Sequence, residues 1–250
     1  MQRFSNRLAL VTGAAAGIGL ATARQLANDG ARLILADRDE SALGNATAEL
    51  GAAIAGTICG DVGEEALWDE HASQLQGLDI AVINAGIASG GEIVDLAFAE
   101  WRRILSANLD GAFLTWRAAM RAMAGRGGAI VLTASVSALR PQPGTAAYGA
   151  SKAGLIHLMK VAAKEGSAQG IRVNAIAPGG VETAIWRGIP MFEDMVCETG
   201  SEAAAFEALG KLMVRYAKPE EIAAQIAFLL SDEAANIIGA VLTSDGGYSL

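Results

Sequence analysis

The 250-residue sequence is poor in cysteine, proline, aromatic residues and basic charge, and the shortages of cysteine and of basic charge exclude classes of protein. Two cysteines without metal-type spacing offer neither a disulfide framework nor a zinc site, so we predict no metal. The net charge of −8 excludes the basic footprint of a nucleic-acid-binding protein and disfavours contact with an anionic membrane surface. No apolar run approaches the roughly 18 residues of a membrane span. The N-terminus lacks the layout of a signal peptide, and we therefore expect a cytoplasmic protein without membrane association.

What the sequence does contain is an alternation of apolar strand-like runs with amphipathic helical stretches. This alternation predicts a parallel sheet with helices on both faces, and right-handed crossovers make it a doubly wound, Rossmann-like α/β sheet. No linker or charge run divides the chain, so we predict one domain spanning residues 1–250. The predicted strands are 7–12, 31–36, 53–58, 78–84, 128–134, 171–177 and 240–243. The predicted helices are 17–29, 39–50, 64–75, 97–123, 149–169 and 219–231.

One long stretch, 184–212, contains no predicted strand and follows the sixth strand directly. Loops of more than about 12–15 residues usually serve as lids or binding loops, or are disordered. Ligands of open α/β sheets bind outside the carboxyl ends of the strands. We therefore predict that 184–212 forms one or two short helices that close over a substrate.

A glycine-rich turn between the first strand and the first helix is typical of a pyrophosphate-binding site. The segment TGAAAGIG, residues 12–19, has the spacing Gly-x3-Gly-x-Gly, and backbone N–H groups with a helix dipole suit an anion there. The second strand ends in Asp37, about 20 residues on, where a carboxylate is suited to a ribose. A tight strand–helix connection without ligand is the alternative interpretation of the turn.

Tyr148 and Lys152 are four residues apart at the start of a predicted helix, so they share one helix face. Lowering the pKa of a tyrosine from about 10 to near 7 is a shift of roughly 3 pKa units, which corresponds to about 4 kcal/mol. A cation at about 4 Å in an effective dielectric near 20 supplies energy of that order. The pair could therefore exchange a proton at neutral pH, although a surface tyrosine beside a solvated lysine is the simpler alternative.

Together with other short motifs, these features resemble the classical short-chain dehydrogenase/reductase family, from Leu8 to Gly247. A chain of this family has the fold predicted above, binds a nicotinamide cofactor and is commonly a homotetramer, with the helices at 97–123 and 149–169 between subunits. The motifs occur in the order expected of the family: TGAAAGIG, Asp37, Asn84-Ala85-Gly86, Asn108, Ser135, YGASK at 148–152, and Pro178-Gly179.

The resemblance implies which residues bind the cofactor and favours NAD over NADP. Asp37 would accept hydrogen bonds from both adenosine ribose hydroxyls and repel a 2′-phosphate. Arg38 beside it could instead hold that phosphate. Asp61 and Val62 would border the adenine, and Thr183 would bond the nicotinamide carboxamide. The implied set also contains Gly13, Ala16, Gly17, Ile18, Gly19, Asn84, Ala85, Gly86, Tyr148, Lys152, Pro178, Gly179 and Val181.

The resemblance also implies a catalytic role for four residues. Tyr148 would give a proton to the substrate oxygen or take one from it, and Lys152 would lower the tyrosine pKa and hold the nicotinamide ribose. Ser135 would orient the substrate oxygen. Asn108 would offer its backbone carbonyl to a water that links Lys152 to solvent.

The substrate is expected to be a small-molecule secondary alcohol or its ketone, neutral and cyclic or aromatic, because most of the expected lining is apolar. Arg140 and Arg187 keep acidic substrates open. The alternatives are an NADPH-dependent ketoreductase, such as a 3-oxoacyl thioester reductase, and a non-catalytic nucleotide-sensing protein. The residues expected around the substrate are Ser137, Leu139, Gln142, Trp186, Met191 and Phe192, together with Ile87 and Val181.

Overall fold

The protein is built around a seven-stranded parallel sheet, as its computed structural model shows for residues 2–187, 189–213 and 215–250. The strand order is β3-β2-β1-β4-β5-β6-β7. The fold predicted from the alternation of strands and helices is confirmed. The strands are Leu8–Thr12 (β1), Arg32–Asp37 (β2), Ile54–Cys59 (β3), Ile80–Ile83 (β4), Gly128–Thr133 (β5), Ile171–Pro178 (β6) and Val241–Ser244 (β7).

Helices cover both faces of this sheet, because alternate side chains of the buried strands point to opposite sides. The helices are Gly17–Asn28 (α1), Glu40–Leu50 (α2), Glu65–Glu70 (α3), Phe98–Leu105 (α4), Gly111–Met123 (α5), Ala146–Ser167 (α6), Pro190–Thr199 (α7), Glu202–Met213 (α8) and Pro219–Leu230 (α9). Leu10 joins a buried cluster with α3, α5 and α6, whereas its neighbours Ala9 and Val11 join a second cluster with α1, α2 and α9.

The helix predicted at 97–123 is not continuous. A π-helical segment, Ser106–Asp110, separates α4 from α5, and Asn108 lies at its centre. The apolar periodicity runs through this segment without a break, so the pattern gave no signal of it. Two smaller corrections concern the predicted helix 64–75, which is α3 followed by a 3-10 turn at Ala72–Leu75, and α6, which begins three residues before 149.

The segment 184–212 contains a short 3-10 turn, Ala184–Trp186, followed by α7 and α8. The prediction of one or two short helices therefore holds for its described residues, and Gly188 lies outside them. The two helices enclose their own small core, which contains Phe192 and Phe206. We refer to residues 184–213 as the lid segment after its predicted role; that it closes over a substrate stays a prediction.

The strand order reverses between β1 and β4, which are paired in the middle of the sheet. In open α/β sheets, such a switch point opens a crevice at the carboxyl ends of the strands, and ligands bind there. The glycine-rich turn follows β1, and the Asn84-Ala85-Gly86 segment follows β4. Among the described residues, no helix has the length and apolar character needed to cross a bilayer.

Candidate active site

The turn after β1 depends on glycine at three positions. Gly13 and Gly17 have φ values of 63° and 53°, in the left-handed region that disfavours other residues. A Cβ on Gly19 would lie 1.9 Å from the carbonyl oxygen of Gly13. The helix that follows begins after Ala16, whose side chain cannot cap the first N–H groups. A glycine cradle that opens onto an uncapped helix N-terminus fits the pyrophosphate of a dinucleotide.

Asp37 braces this turn from the neighbouring strand. One carboxylate oxygen accepts a hydrogen bond from the Ala15 N–H at 3.0 Å, and the other accepts from the Asp39 N–H at 3.1 Å. Each oxygen retains acceptor capacity, since a carboxylate offers about four lone-pair sites. Asp37 therefore orders the glycine-rich turn and keeps acceptor capacity that suits ribose hydroxyls.

A second brace joins the ends of β1 and β4. The Thr12 hydroxyl oxygen accepts from the backbone N–H groups of Asn84 and Ala85 at 3.0 and 3.1 Å. The Asn84 side-chain amide donates to the Thr12 carbonyl at 3.1 Å. These bonds hold the crevice at the switch point in one shape, which agrees with a structural use of Asn84. Sequence reasoning missed Thr12, although a hydroxyl at a strand end before glycine was a usable signal.

The other residues of the expected cofactor set also lie along the carboxyl edge. Asp61 is exposed and accepts from the Gly63 N–H at 2.8 Å, while the adjacent Val62 is buried. Arg38 is exposed beside Asp37. At the end of β6, the Thr183 methyl carbon would lie 3.1 Å from a Cβ on Gly17, so the strand end and the glycine-rich turn meet. Pro178-Gly179 and Val181 belong to the same strand end, where the Gly179 N–H donates to the backbone carbonyl of Ser244 at 3.0 Å.

Tyr148, Lys152 and Ser135 come together where β5 ends and α6 begins. The Lys152 Nζ lies 5.7 Å from the centre of the Tyr148 ring and donates to the Thr133 carbonyl at 2.9 Å. Ser135 interacts with the Tyr148 side chain and favours its deprotonated form. The Ser135 oxygen also accepts from the Ser137 N–H at 3.2 Å, which fixes the serine rotamer. Three polar groups suited to proton transfer therefore share one site, in which Ser135 and Lys152 are buried and Tyr148 is partly exposed.

Burial sets the protonation of this pair. Desolvation raises the pKa of Tyr148, and its interaction with Ser135 opposes the rise. Desolvation lowers the pKa of Lys152 to about 8. Lys152 is not among the causes of the Tyr148 shift, so the expectation that Lys152 lowers the pKa of Tyr148 stays a prediction. That expectation assumed an ion pair at about 4 Å, whereas burial penalises the charged form of both groups.

Asn108 contributes through its side chain, which is completely buried. Its Oδ1 accepts from the Ile87 N–H at 2.8 Å, and its Nδ2 donates to the Ile87 carbonyl at 3.0 Å and to the Ser151 hydroxyl at 3.0 Å. A Cβ on Gly86 would lie 3.2 Å from Asn108 Oδ1 and 3.4 Å from Lys152 Nζ. The π-helical segment is thereby tied to the end of β4 and to α6. Sequence reasoning assigned only the Asn108 carbonyl and overlooked Ser151.

Six of the eight residues expected around the substrate occupy three different environments. Ser137 and Gln142 line a cavity of about 630 Å³ beside the first turn of α6. Leu139 and Met191 are about half exposed, at 47% and 50%. Trp186 and Phe192 instead pack within the lid segment, where Phe192 is only 1% exposed. The cavity is lined by Ser137 and Gly149 but by neither Tyr148 nor Ser135. It is therefore adjacent to these two residues in the chain and is not formed by their side chains.

An aromatic cluster fastens the lid segment to the end of β6. The Trp186 ring lies 5.5 Å from that of Tyr216, and its Nε1 donates to the Val181 carbonyl at 2.9 Å. A Cβ on Gly180 would approach the Tyr216 ring to 2.7 Å, so glycine leaves room for that ring. Tyr216 had not been singled out in the sequence. Its position shows that the lid segment and the strand end form one packed unit.

Arg140 and Arg187, the two candidate binding residues for an acidic substrate, both have partners. Arg187 pairs with Glu202 at 2.7 Å within the lid segment. Arg140 donates to the Tyr248 carbonyl and lies 4.8 Å from the centre of the Tyr248 ring. Arg187 is thus neutralised by a carboxylate, whereas Arg140 gives one N–H to a neutral carbonyl and keeps further donors.

With this geometry, the chain belongs to the classical short-chain dehydrogenase/reductase family. A family model described as Enoyl-(Acyl carrier protein) reductase matches residues 13–249. A short-chain type dehydrogenase/reductase from Mycobacterium marinum has a solved structure that superposes with a TM-score of 0.85 at 33% identity, covering 98% of this chain and 96% of that one.

Among individual proteins, two dehydrogenases are similar over nearly the whole chain. Cis-4-hydroxycyclohexanecarboxylate dehydrogenase of Sinomonas cyclohexanicum is 40% identical, covering 99% of this chain and 98% of its own. Galactitol 2-dehydrogenase (L-tagatose-forming) of Cereibacter sphaeroides is 39% identical, covering 99% and 97%. The chain is therefore an oxidoreductase of the alcohol-dehydrogenase kind, from a family that uses nicotinamide cofactors.

Proposed function

We propose that this protein transfers a hydride between NAD(H) and a secondary alcohol or ketone, with Tyr148 as the general acid and base. The observation that carries the proposal is the cluster in which Lys152 Nζ lies 5.7 Å from the centre of the Tyr148 ring and Ser135 interacts with the Tyr148 side chain. This cluster lies at the same sheet edge as a glycine cradle that suits a dinucleotide. Proton transfer and cofactor binding are thus supported within one crevice.

The nicotinamide supplies the hydride chemistry, and the residues of the chain bind, orient and move a proton. Gly13, Gly17 and Gly19 would receive the pyrophosphate. Ser135 would orient the substrate oxygen, since its own rotamer is fixed by the Ser137 N–H. Because burial raises the pKa of Tyr148, its phenol holds a proton at neutral pH, and the proposed acid–base role requires Lys152 to lower that pKa.

We propose NAD rather than NADP because Asp37 ends the second strand. A 2′-phosphate about 4 Å from a carboxylate is disfavoured by about 1–4 kcal/mol in dielectrics between those of water and a protein surface. The bond from the Ala15 N–H also holds the carboxylate in place, so it cannot turn away without loosening the turn. One observation favours the rival, an NADPH-dependent ketoreductase: the exposed Arg38 has no ion pair with any described residue.

Replacing Asp37 with alanine should narrow the preference for NAD. We expect kcat/KM with NAD to fall at least about tenfold, because the ribose contacts and the brace on the turn are both lost, while kcat/KM with NADP falls less. Steady-state assays with both cofactors measure the ratio. Arg38→Ala is the matched control and should weaken only the use of NADP. An unchanged ratio in Asp37→Ala would place cofactor choice elsewhere.

We propose a neutral substrate, cyclic or aromatic, because both candidate arginines are engaged by Glu202 and Tyr248. The relative from Sinomonas cyclohexanicum is named for a cyclic alcohol that carries a carboxylate, so the two possibilities can be compared directly.

We also propose a homotetramer that packs through α4, α5 and α6. Exposed Phe98, Phe113 and Val161 on those helices support it, and the molar mass in solution tests it.

The substrate class can be tested with three cyclohexanols that differ in charge. Cyclohexanol, cis-4-hydroxycyclohexanecarboxylate and its methyl ester are oxidised in parallel, and NADH formation is followed by absorbance. We expect the ester to be used at least about tenfold more efficiently than the acid, since an unpaired carboxylate must lose its hydration in the pocket. A preference for the acid would contradict the neutral class, and Arg140→Gln and Arg187→Gln would then identify the anchoring cation.

A further inference from the structure

Ser151 lies in the second turn of α6, between Tyr148 and Lys152 in the sequence, and its side chain is completely buried. Its Oγ donates to the Tyr148 carbonyl at 2.7 Å and accepts from Asn108 Nδ2 at 3.0 Å. A hydroxyl has one proton, so it donates to the carbonyl and accepts from the amide. Ser151 therefore stands between the catalytic tyrosine and the buried asparagine.

The orientation of the Asn108 amide follows from the same bonds. The Ile87 N–H can only donate and the Ile87 carbonyl can only accept, so Oδ1 faces the former and Nδ2 the latter. The second Nδ2 proton goes to Ser151. Both amide protons and the carbonyl oxygen of Asn108 are thus used, and the chain of bonds runs from Ile87 to the backbone of Tyr148 without an unpaired group.

This chain joins three elements that shape the site. Ile87 follows the Asn84-Ala85-Gly86 segment after β4, Asn108 centres the π-helical segment, and Ser151 belongs to the catalytic helix. Single turns of π-helix inside α-helices occur frequently at functional sites. Here the π turn lets one asparagine reach both the strand end and Ser151.

We propose that Ser151 is a positioning residue that holds the first turn of α6, and with it Tyr148, in register with the end of β4. The proposal rests on the proposed role of Tyr148 in proton transfer. Without the hydroxyl, one Asn108 donor is left buried and unpaired, a state that proteins relieve by moving. The movement available is at Asn108 and the first turn of α6, which carries Tyr148 towards or away from Ser135.

A matched serine elsewhere separates positioning from simple stability. The Ser231 hydroxyl donates to the Phe228 carbonyl at 2.8 Å, also three residues earlier, and Ser231 is only 4% exposed. The Ser231 carbonyl accepts from Arg172, near the start of β6 and so at the opposite edge of the sheet from Tyr148. Ser151→Ala and Ser231→Ala therefore remove the same local bond, but only the first lies in the catalytic network.

In steady-state assays we expect Ser151→Ala to lower kcat at least about tenfold, since small misplacements of a reacting group can cost up to about 100-fold. The KM for NAD should stay within about twofold, because no cofactor contact is removed. Ser151→Thr keeps a hydroxyl and should recover most of kcat. Ser231→Ala should leave kcat unchanged. If Ser151→Thr does not fold, the contrast between the two alanine variants still decides.

Hydrogen exchange provides a readout that does not depend on turnover. Ser151→Ala should speed amide exchange in residues 146–152 and 106–110, whereas Ser231→Ala should speed it only near the end of α9. Equal kcat and equal exchange in 146–152 for the two alanine variants would overturn the proposal. Retained activity in Tyr148→Phe would instead overturn the proposed function, and the exchange pattern would then decide on Ser151 by itself.

Discussion

Replacing Tyr148 with phenylalanine should reduce turnover by about 100-fold or more, as expected when a general acid is removed. The phenyl ring fills the same space, and the variant loses only the hydroxyl that interacts with Ser135. Because the cofactor cradle is formed by other elements, the dissociation constant for NADH should change less than about threefold. The measurements are kcat from NADH absorbance and NADH affinity from fluorescence titration.

The other described tyrosines provide the control for this result. Tyr216 lies in the aromatic cluster of the lid segment, and burial together with Tyr248 raises its pKa to about 12. Tyr216→Phe keeps the ring packing and should retain most of the turnover. Near-normal turnover in Tyr148→Phe, or an equal loss in Tyr216→Phe, would contradict Tyr148 as the proton donor.

Replacing Gly19 with alanine should abolish cofactor binding. Its Cβ would lie 1.9 Å from the Gly13 carbonyl oxygen and 2.7 Å from Asn84 Nδ2, far inside contact distance. The turn must open to accept the methyl group, which disrupts the cradle and the Asn84 brace together. We expect the dissociation constant for NADH to rise at least about 100-fold, which corresponds to about 2.8 kcal/mol. Fluorescence titration and the loss of NADH-dependent thermal stabilisation measure the effect.

Gly44 makes the same substitution informative elsewhere in the chain. It lies inside α2, and nothing stands within 4 Å of a Cβ built on it. Gly44→Ala should therefore stabilise the protein by about 0.5–1 kcal/mol through helix propensity while NADH binding stays unchanged. NADH binding by Gly19→Ala that equals that of Gly44→Ala would contradict the proposed cradle.

The sequence was sufficient for the sheet, because buried parallel strands are continuous apolar runs that alternate with helices. The spacing of Tyr148 and Lys152 was sufficient to predict that they share one helix face, whereas the grouping with Ser135 was predicted from the family resemblance. The structure brings these three together after β5 and at the start of α6.

Three features could not be predicted because they depend on tertiary contacts. The π-helical segment arises where Asn108 reaches Ile87, a contact across 21 residues that leaves the apolar periodicity intact. The rise in the pKa of Tyr148 follows from desolvation of its side chain, which residue spacing does not reveal. The placement of Phe192 in the lid core depends on how α7 and α8 pack together.

Transfer of deuterium tests the central claim most directly. Cyclohexanol carrying deuterium on the carbinol carbon is oxidised by the unaltered protein with NAD and, in parallel, with NADP. We predict that deuterium appears in the NADH, that the rate with NAD exceeds that with NADP, and that Tyr148→Phe suppresses the transfer. Reduced cofactor without deuterium, or equal transfer by Tyr148→Phe, would contradict hydride transfer from a secondary alcohol with proton exchange at Tyr148.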